Sequence, residues 1–184
     1  MSHPNILDCG DAVLIVVDLQ DKLLNAIHDH ERVVQNSVRM IEAAKVLGIP
    51  ILVTLQYAEK WGDCTQTIAA AVGHDARVSK MSFSCMGGEC FPDLLNDTQR
   101  RQAIICGIET HVCVNQTAHD LLGKGYSVHI VEDAVSSRTL ENKKAGIDKM
   151  RASGCVISTT EMAIFELLGD ASREEFKKLL PLLK

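Results

Sequence analysis

Ala103-Ile104-Ile105-Cys106-Gly107-Ile108-Glu109-Thr110-His111-Val112-Cys113 is the stretch on which the fold and the chemistry of this chain turn. Its first four residues form an apolar run that halts at Gly107, and a helical pattern begins at about Val112. This order puts a thiol in the first turn of a helix, just past the C-terminal end of a buried strand. Free backbone N–H groups and the positive end of the helix dipole favour a thiolate there. The alternative is a small buried hydrophobe that happens to be sulfur. Position alone does not separate the two, and Asp18 and Lys80 shift the balance.

Outward from this stretch the pattern is strand alternating with helix. Ala12–Val17 is a continuous β-rich run ending abruptly in Asp18, as suits a strand buried on both faces. Apolar residues then recur at helical spacing from His30 to Leu47 (Val34, Val38, Ile41 and Ala44, widened by Val33, Met40 and Leu47), with Gly48 and Pro50 closing the helix. Ile51–Leu55 is a second strand. Residues 57–100 are less regular, with a short helix over Thr67–Val72, a short strand at Arg77-Val78-Ser79 leading to Lys80, a loop at Met86-Gly87-Gly88 and a helical turn or two over Phe91–Leu95.

Gln102–Gly107 is then a strand, Cys113–Lys124 a helix, Tyr126–Val131 a strand ending in Glu132-Asp133, Thr139–Ser153 a helix and Cys155–Ser158 a strand. Ser158-Thr159-Thr160-Glu161 and Ser172-Arg173-Glu174-Glu175 have capping-box spacing ahead of two last helices. Such alternation implies right-handed crossovers and a parallel sheet covered on both faces, with ligands beyond the carboxyl ends of the strands at the topological switch.

The 184 residues are read as one domain, with 46% apolar and 23% charged residues as in an ordinary globular protein. A formal charge of −5 argues against a large nucleic-acid footprint, and no apolar run approaches a membrane span. The beginning, Met1-Ser2-His3-Pro4-Asn5, has neither the layout of a secretory signal nor the Arg-rich look of a transit peptide, so the cytoplasm is the expected location. Seven cysteines without regular spacing and without a Cys-x-x-Cys pair do not read as a disulfide framework or a structural zinc site.

The strand ends select the chemistry. Asp18 follows the first strand, Gln56 and Tyr57 the second, Lys80 the short run at Val78, and Glu109 to Cys113 the strand at Gly107, so all should face one crevice. A cysteine nucleophile needs a base or a positive field. Asp18 can accept the thiol proton and return it to a leaving group, and Lys80 can keep both charged and oriented. The backbone N–H groups of Glu109 and Cys113 are placed to hold an oxyanion if the turn between them is tight. Gln20 and Gln56 are candidates to hydrogen-bond a substrate amide or the carboxylate. Tyr57, Trp61, Phe83 and Ile108 are candidate pocket residues. Phe91 and Phe165 fit the core, Asp133 fits a structural cap, and His111 neighbours the nucleophile with no readable direction.

Three motifs in order, Val17-Asp18-Leu19-Gln20, Lys80 in Val78-Ser79-Lys80, and Gly107-Ile108-Glu109-Thr110-His111-Val112-Cys113-Val114, resemble those of the isochorismatase-like cysteine hydrolases, which include nicotinamidases and N-carbamoylsarcosine amidases. The resemblance runs from about Ala12 to Leu168. It implies a doubly wound, Rossmann-like α/β sheet of about six strands, an Asp18–Lys80–Cys113 triad, a cis peptide between Ile108 and Glu109 and a homo-oligomer, dimer or larger. Because Cys113 is present, vinyl-ether hydrolysis is not implied. Where nicotinamidases carry an Asp-x-His metal motif this chain reads Gln56-Tyr57-Ala58 with no His, and His74 alone does not make a metal site, so neither metal nor cofactor is implied. The expected function is hydrolysis of a small amide, carbamoyl or related acyl compound through a thioester. The alternatives are a redox-active thiol partnered by a nearby cysteine, a non-enzymatic oligomer that retains the triad, and, ranked low, the ribonuclease activity with which some relatives are labelled.

Overall fold

Two apolar strands side by side set the centre of the molecule. In this computed structural model, which describes residues 3, 5–73 and 77–183, β1 (Ala12–Val17) and β4 (Gln102–Ile108) are buried at every position and pair in parallel, with Val17 beside Gly107. β2 (Ile51–Gln56) and β3 (Arg77–Lys80) extend the sheet on one side, and β5 (Ser127–Ser136) and β6 (Val156–Ser158) extend it on the other. All pairings are parallel and the order is β3-β2-β1-β4-β5-β6, so the chain winds outward from β1, returns to the centre and winds the other way. The strand order reverses between β1 and β4, which opens a crevice at their carboxyl ends.

Helices cover both faces. α1 (Asp21–Leu24) is a single turn; α2 (His30–Leu47), α4 (Gln66–Val72), α8 (Thr160–Leu168) and α9 (Glu174–Leu179) pack as one layer, and α3 (Ala58–Trp61) sits beside α1. α5 (Phe91–Asp97), α6 (Asn115–Gly123) and α7 (Leu140–Ala152) form the other layer. On α2 the most buried positions are Val33, Ser37, Met40, Ile41, Ala43 and Ala44, with Val34 and Val38 at the margin of the stripe. The periodicity located the helix correctly and placed the centre of its face slightly off, because Asn36 and Ser37 are buried polar residues. Asn36 earns that position by donating to the carbonyl of Asp133 at 2.8 Å.

Several boundaries differ from the sequence reading, each for a local reason. β5 does not stop at Glu132-Asp133. Its pairing with β4 jumps from Ile105–Ile130 to Gly107–Val135, a bulge that absorbs the polar pair and lets the strand resume to Ser136. Asp133 in that bulge does cap a helix, accepting from the N–H and hydroxyl of Thr160 at 2.8 and 2.9 Å. The N-cap of α8 is therefore Thr159, whose hydroxyl accepts from Met162, rather than Ser158. Ser172 does not cap α9, whose N-cap is Arg173. Phe91 is fully buried, whereas Phe165 is exposed because α8 turns Ala163, Ile164, Leu167 and Leu168 inward. His74 lies outside the described residues.

His129 on β5 is fully buried, its Nε2 meets the Ser127 hydroxyl at 3.2 Å, and its Nδ1 has no partner among the described residues. Burial pushes its imidazole down to about 4 from the ordinary 6.5. The unfolded chain therefore takes up this proton first as pH falls. The stability that neutral His129 contributes is whole above about pH 6.5 and drains away towards pH 4, a loss on the order of 3 kcal/mol. Urea titrations at about pH 7.5 and about pH 4.5 should show His129→Gln losing less stability between the two than wild type; an equal loss in both would refute this role.

Candidate active site

Each strand of the crevice delivers one group. Asp18 follows β1 in the left-handed region at φ 53, a conformation that Asp tolerates better than most side chains. Lys80 is the last residue of β3 and Gln56 the last of β2. Beyond β4 the chain makes one π-helical turn, Thr110–Val114, before α6, and Cys113 sits in that turn rather than in the first turn of an α-helix. Gly107 is required at the end of β4: it has φ 117, and any Cβ would run into the backbone of Val17. Gly146 does the same for the turn from the other side, since a Cβ there would press on His111 and Thr110 at 3.0–3.1 Å. α7 thus seats the cysteine turn by close backbone approach.

The centre of the site is a buried ion pair. Lys80 Nζ donates to Asp18 Oδ2 at 2.6 Å, with both side chains essentially sealed from water. The ammonium also donates to Gln56 Oε1 at 2.7 Å and to the carbonyls of Phe83 and Ser82 at 3.1 and 3.3 Å. The other carboxylate oxygen of Asp18 accepts from the Thr54 hydroxyl at 2.8 Å. The Cys113 thiol faces the same cavity as Asp18 and feels the charge of its carboxylate. Burial alone would pull Lys80 down, but the Asp18 charge holds it above its ordinary value. Burial and then the Asp18 charge push the Cys113 thiol up, and Lys80 only partly opposes them. The resting arrangement is therefore carboxylate, ammonium and protonated thiol, and the expectation of an ionised sulfur is corrected.

A cavity of about 380 Å³ opens above this group. Asp18, Gln56, Trp61, Phe83, Ile108, Glu109 and Cys113 line it, all of them candidates from the sequence. Three other candidates do not, the first being Lys80, which is sealed from water beside Asp18. Gln20 is fully buried, and its amide is used up on backbone, donating to the carbonyls of Gln56 and Gly62 at 3.0 and 2.7 Å and accepting from the Gln56 N–H at 2.8 Å. Tyr57, at φ 39, turns the chain into α3 and lies outside the lining.

The structure adds Lys22, Leu23, Ala26 and Ile27 from the segment after β1, with Val112 and Arg138. The segment after Gln20 carried no strand-end signal, and Arg138 was hidden by the unforeseen extension of β5. Thr54 and Cys85 were also missed. Cys85 is fully buried, 3.7 Å from the Thr54 hydroxyl, and burial raises it to about 11. His111 turns to Ser137, 2.9 Å from its hydroxyl. The Ile108–Glu109 peptide is cis, and the Glu109 N–H finds no acceptor among the described residues. No group of His, Cys, Asp and Glu suited to a metal ion occurs among the described residues.

Comparison with known proteins agrees with this architecture. Residues 12–162 match the family model described as isochorismatase domain. The secreted isochorismatase effector Isc1 of Phytophthora sojae is 41% identical over 177 residues, covering 94% of this chain and 84% of that protein. The solved structure of MAR1 ribonuclease from Caenorhabditis elegans superposes with a TM-score of 0.91 at 34% identity, covering 97% of this chain and 92% of that one. The YcaC gene product of Escherichia coli, described as an octameric hydrolase of unknown specificity, shares the fold with a TM-score of 0.91 at 22% identity, covering 99% and 92% of the two chains. The fold and the strand-end site define an α/β protein of the hydrolase type. This chain belongs to the isochorismatase family.

Removing one member of a buried ion pair strands the other. Lys80→Met should cost about 3–5 kcal/mol of unfolding free energy, and Asp18→Asn/Lys80→Met should regain part of it. Chemical denaturation of the three proteins tests this; a Lys80→Met protein as stable as wild type would show that the pair does not carry this part of the structure.

Proposed function

We propose that the protein is a metal-independent cysteine hydrolase that cleaves a small amide, carbamoyl or related acyl compound through a thioester. The observation that carries this reading is the Cys113 thiol at the base of the cavity, beside a carboxylate that Lys80 keeps charged and Thr54 keeps oriented. Asp18 takes the thiol proton as sulfur attacks the acyl carbon. The oxyanion is held by the N–H groups of Glu109 and Cys113, of which the first has no acceptor among the described residues. Asp18 then protonates the departing amine, and a thioester remains. Water attacks that thioester, giving its proton to Asp18 and releasing the acid, and the proton returns to Cys113 sulfur. Because the thiol is protonated at rest, proton transfer to Asp18 accompanies sulfur attack.

Metal independence is supported by Gln56, which stands where nicotinamidases begin their metal motif. Here it is committed to Lys80 through Oε1 and to the Met81 carbonyl through Nε2 at 2.9 Å. The redox reading needs a resolving cysteine, and Cys106, though close in sequence, packs in the layer opposite Cys113. Cys85 shares the Cys113 layer, but its raised pKa disfavours the thiolate that exchange requires. We also propose a homo-oligomer, supported by Met162 and Phe165 exposed together on α8 and by the octamer described for YcaC. A reducing, cytoplasmic setting is supported by cysteines that are all free. No helix among the described residues is long and apolar enough to cross a membrane.

Treatment with an activated acyl amide followed by intact mass measurement tests the chemistry. Wild type should gain one acyl group that hydroxylamine removes, Cys113→Ala should gain none, and Asp18→Asn should acylate at least about a hundredfold more slowly. Equal labelling of wild type and Cys113→Ala would end the proposal.

A further inference from the structure

We infer that a second binding site lies at the amino end of the sheet, formed by Arg100, Arg101 and Tyr126, and that it takes a small anion bearing a phosphate group. It does not depend on the hydrolase reading, since none of its residues lines the catalytic cavity.

The topology brings the three residues together. Arg101 immediately precedes β4 and Tyr126 immediately precedes β5, and the first residues of these strands, Gln102 and Ser127, are paired. The Ser127 N–H donates to the Arg101 carbonyl at 3.0 Å, which fixes the two backbones side by side. The turn after α5 supplies Gln99 and Arg100, with Gln99 in the left-handed region at φ 55, and the last turn of α5 supplies Asn96. These residues enclose a cavity of about 230 Å³. That is smaller than the pockets that hold drug-sized ligands, so the occupant is compact.

Two observations point to an anion. The first is charge. The lining holds two cations and no acid. Neither guanidinium has an ion-pair partner among the described residues. Asp11 accepts the backbone N–H of Arg101 at 2.9 Å, not its side chain. The Arg101 guanidinium lies over the Tyr126 ring, 5.2 Å from its centroid, a contact that holds the planar fork and leaves its N–H edge open. Arg100 spends one N–H on the Cys9 carbonyl at 3.5 Å. The second observation is Tyr126 itself. The residue is only 5% exposed, yet its hydroxyl meets no hydrogen-bond partner among the described residues. A buried phenol ordinarily finds one, and a ligand oxygen in the cavity would supply it.

Arginines beside a helix C-terminus can also serve the helix alone. Here that need is met from within: the Leu95 carbonyl accepts from the Thr98 hydroxyl at 2.7 Å, and the Asn96 carbonyl accepts from the Gln99 side-chain amide at 2.8 Å. The guanidinium forks therefore remain for a ligand. Two forks and a phenol on one cavity ask for more acceptor oxygens than the two of a carboxylate, and a phosphate group presents at least three.

Inorganic phosphate and ribose 5-phosphate are titrated separately into the protein at an ionic strength held constant with sodium chloride. Calorimetry measures binding, and hydrogen exchange with mass spectrometry locates it. Both should bind saturably. Exchange should slow over residues 96–102 and 124–128 and stay unchanged over residues 107–114. Arg100→Gln and Arg101→Gln should each weaken binding about tenfold, and Tyr126→Phe about fivefold. Arg101→Lys keeps the charge, loses the fork and should fall between wild type and Arg101→Gln. Arg101 is exposed, so its variants report on the site and not on the core. Tighter binding of the sugar phosphate identifies a phosphorylated metabolite as the occupant, equal binding identifies the free anion, and either supports the site. No saturable binding, protection confined to residues 107–114, or an affinity unchanged in Arg101→Gln overturns the inference.

Discussion

An ammonium and a carboxylate 2.6 Å apart, both withdrawn from water, dictate the arrangement of the carboxyl end of this sheet. Taking such a pair out of solvent is costly, and its mutual attraction compensates only if the remaining hydrogen-bonding capacity of both groups is met. Thr54 meets it for Asp18, while Gln56 and the carbonyls of Ser82 and Phe83 meet it for Lys80. These partners come from the end of β2 and from the segment after β3, so satisfying the pair also fixes the strands and loop that surround it. Gln20 ties the next layer by spending its whole amide on the Gln56 and Gly62 backbone. A polar network of this kind positions side chains firmly, because every alternative geometry leaves a buried donor or acceptor unpaired.

The cysteine enters this network from the other side of the topological switch, and its position is decided by backbone sterics. Gly107 lets β4 pass against Val17, and Gly146 lets α7 press against the turn that carries the thiol. The electrostatic outcome differs from the simplest picture of an activated cysteine. Burial and the Asp18 charge together outweigh the Lys80 charge, so the sulfur keeps its proton. Ionic character at rest resides in the Asp18–Lys80 pair. A thiol that keeps its proton resists adventitious oxidation, which requires the thiolate.

Around this centre the sheet and its helices supply the frame and the loops at the strand ends supply the cavity rim. The mouth of the cavity is built by the segment after β1 and by the residues just past β5, two stretches held together through His28 and the Ser136-Ser137 pair. Membership in the isochorismatase family accounts for the frame. Of the charged groups that line the cavity, Lys22 follows β1, Arg138 follows β5 and Glu109 follows β4, so all three belong to connecting segments.

The order of strands and helices, the parallel sheet and the convergence of Asp18, Lys80 and Cys113 were legible in the linear chain, because buried parallel strands are continuous apolar runs and because such sheets gather ligands at strand ends. Asp18, Gln56, Trp61, Phe83, Ile108 and Glu109 could be nominated for the same reason. Tertiary structure alone decided the rest. Gln20 looked available and was consumed by backbone groups that no local pattern reveals. Phe165 looked like core and fell on the outer side of α8. Arg138 lines the cavity just past β5, a strand whose register opposite β4 is reset by a bulge that holds Asp133, the partner of both Thr160 and Asn36. Periodicity reports which face of an element avoids water; it does not report which polar atoms, distant along the chain, will complete one another's hydrogen bonds, and it was those pairings that finished the site.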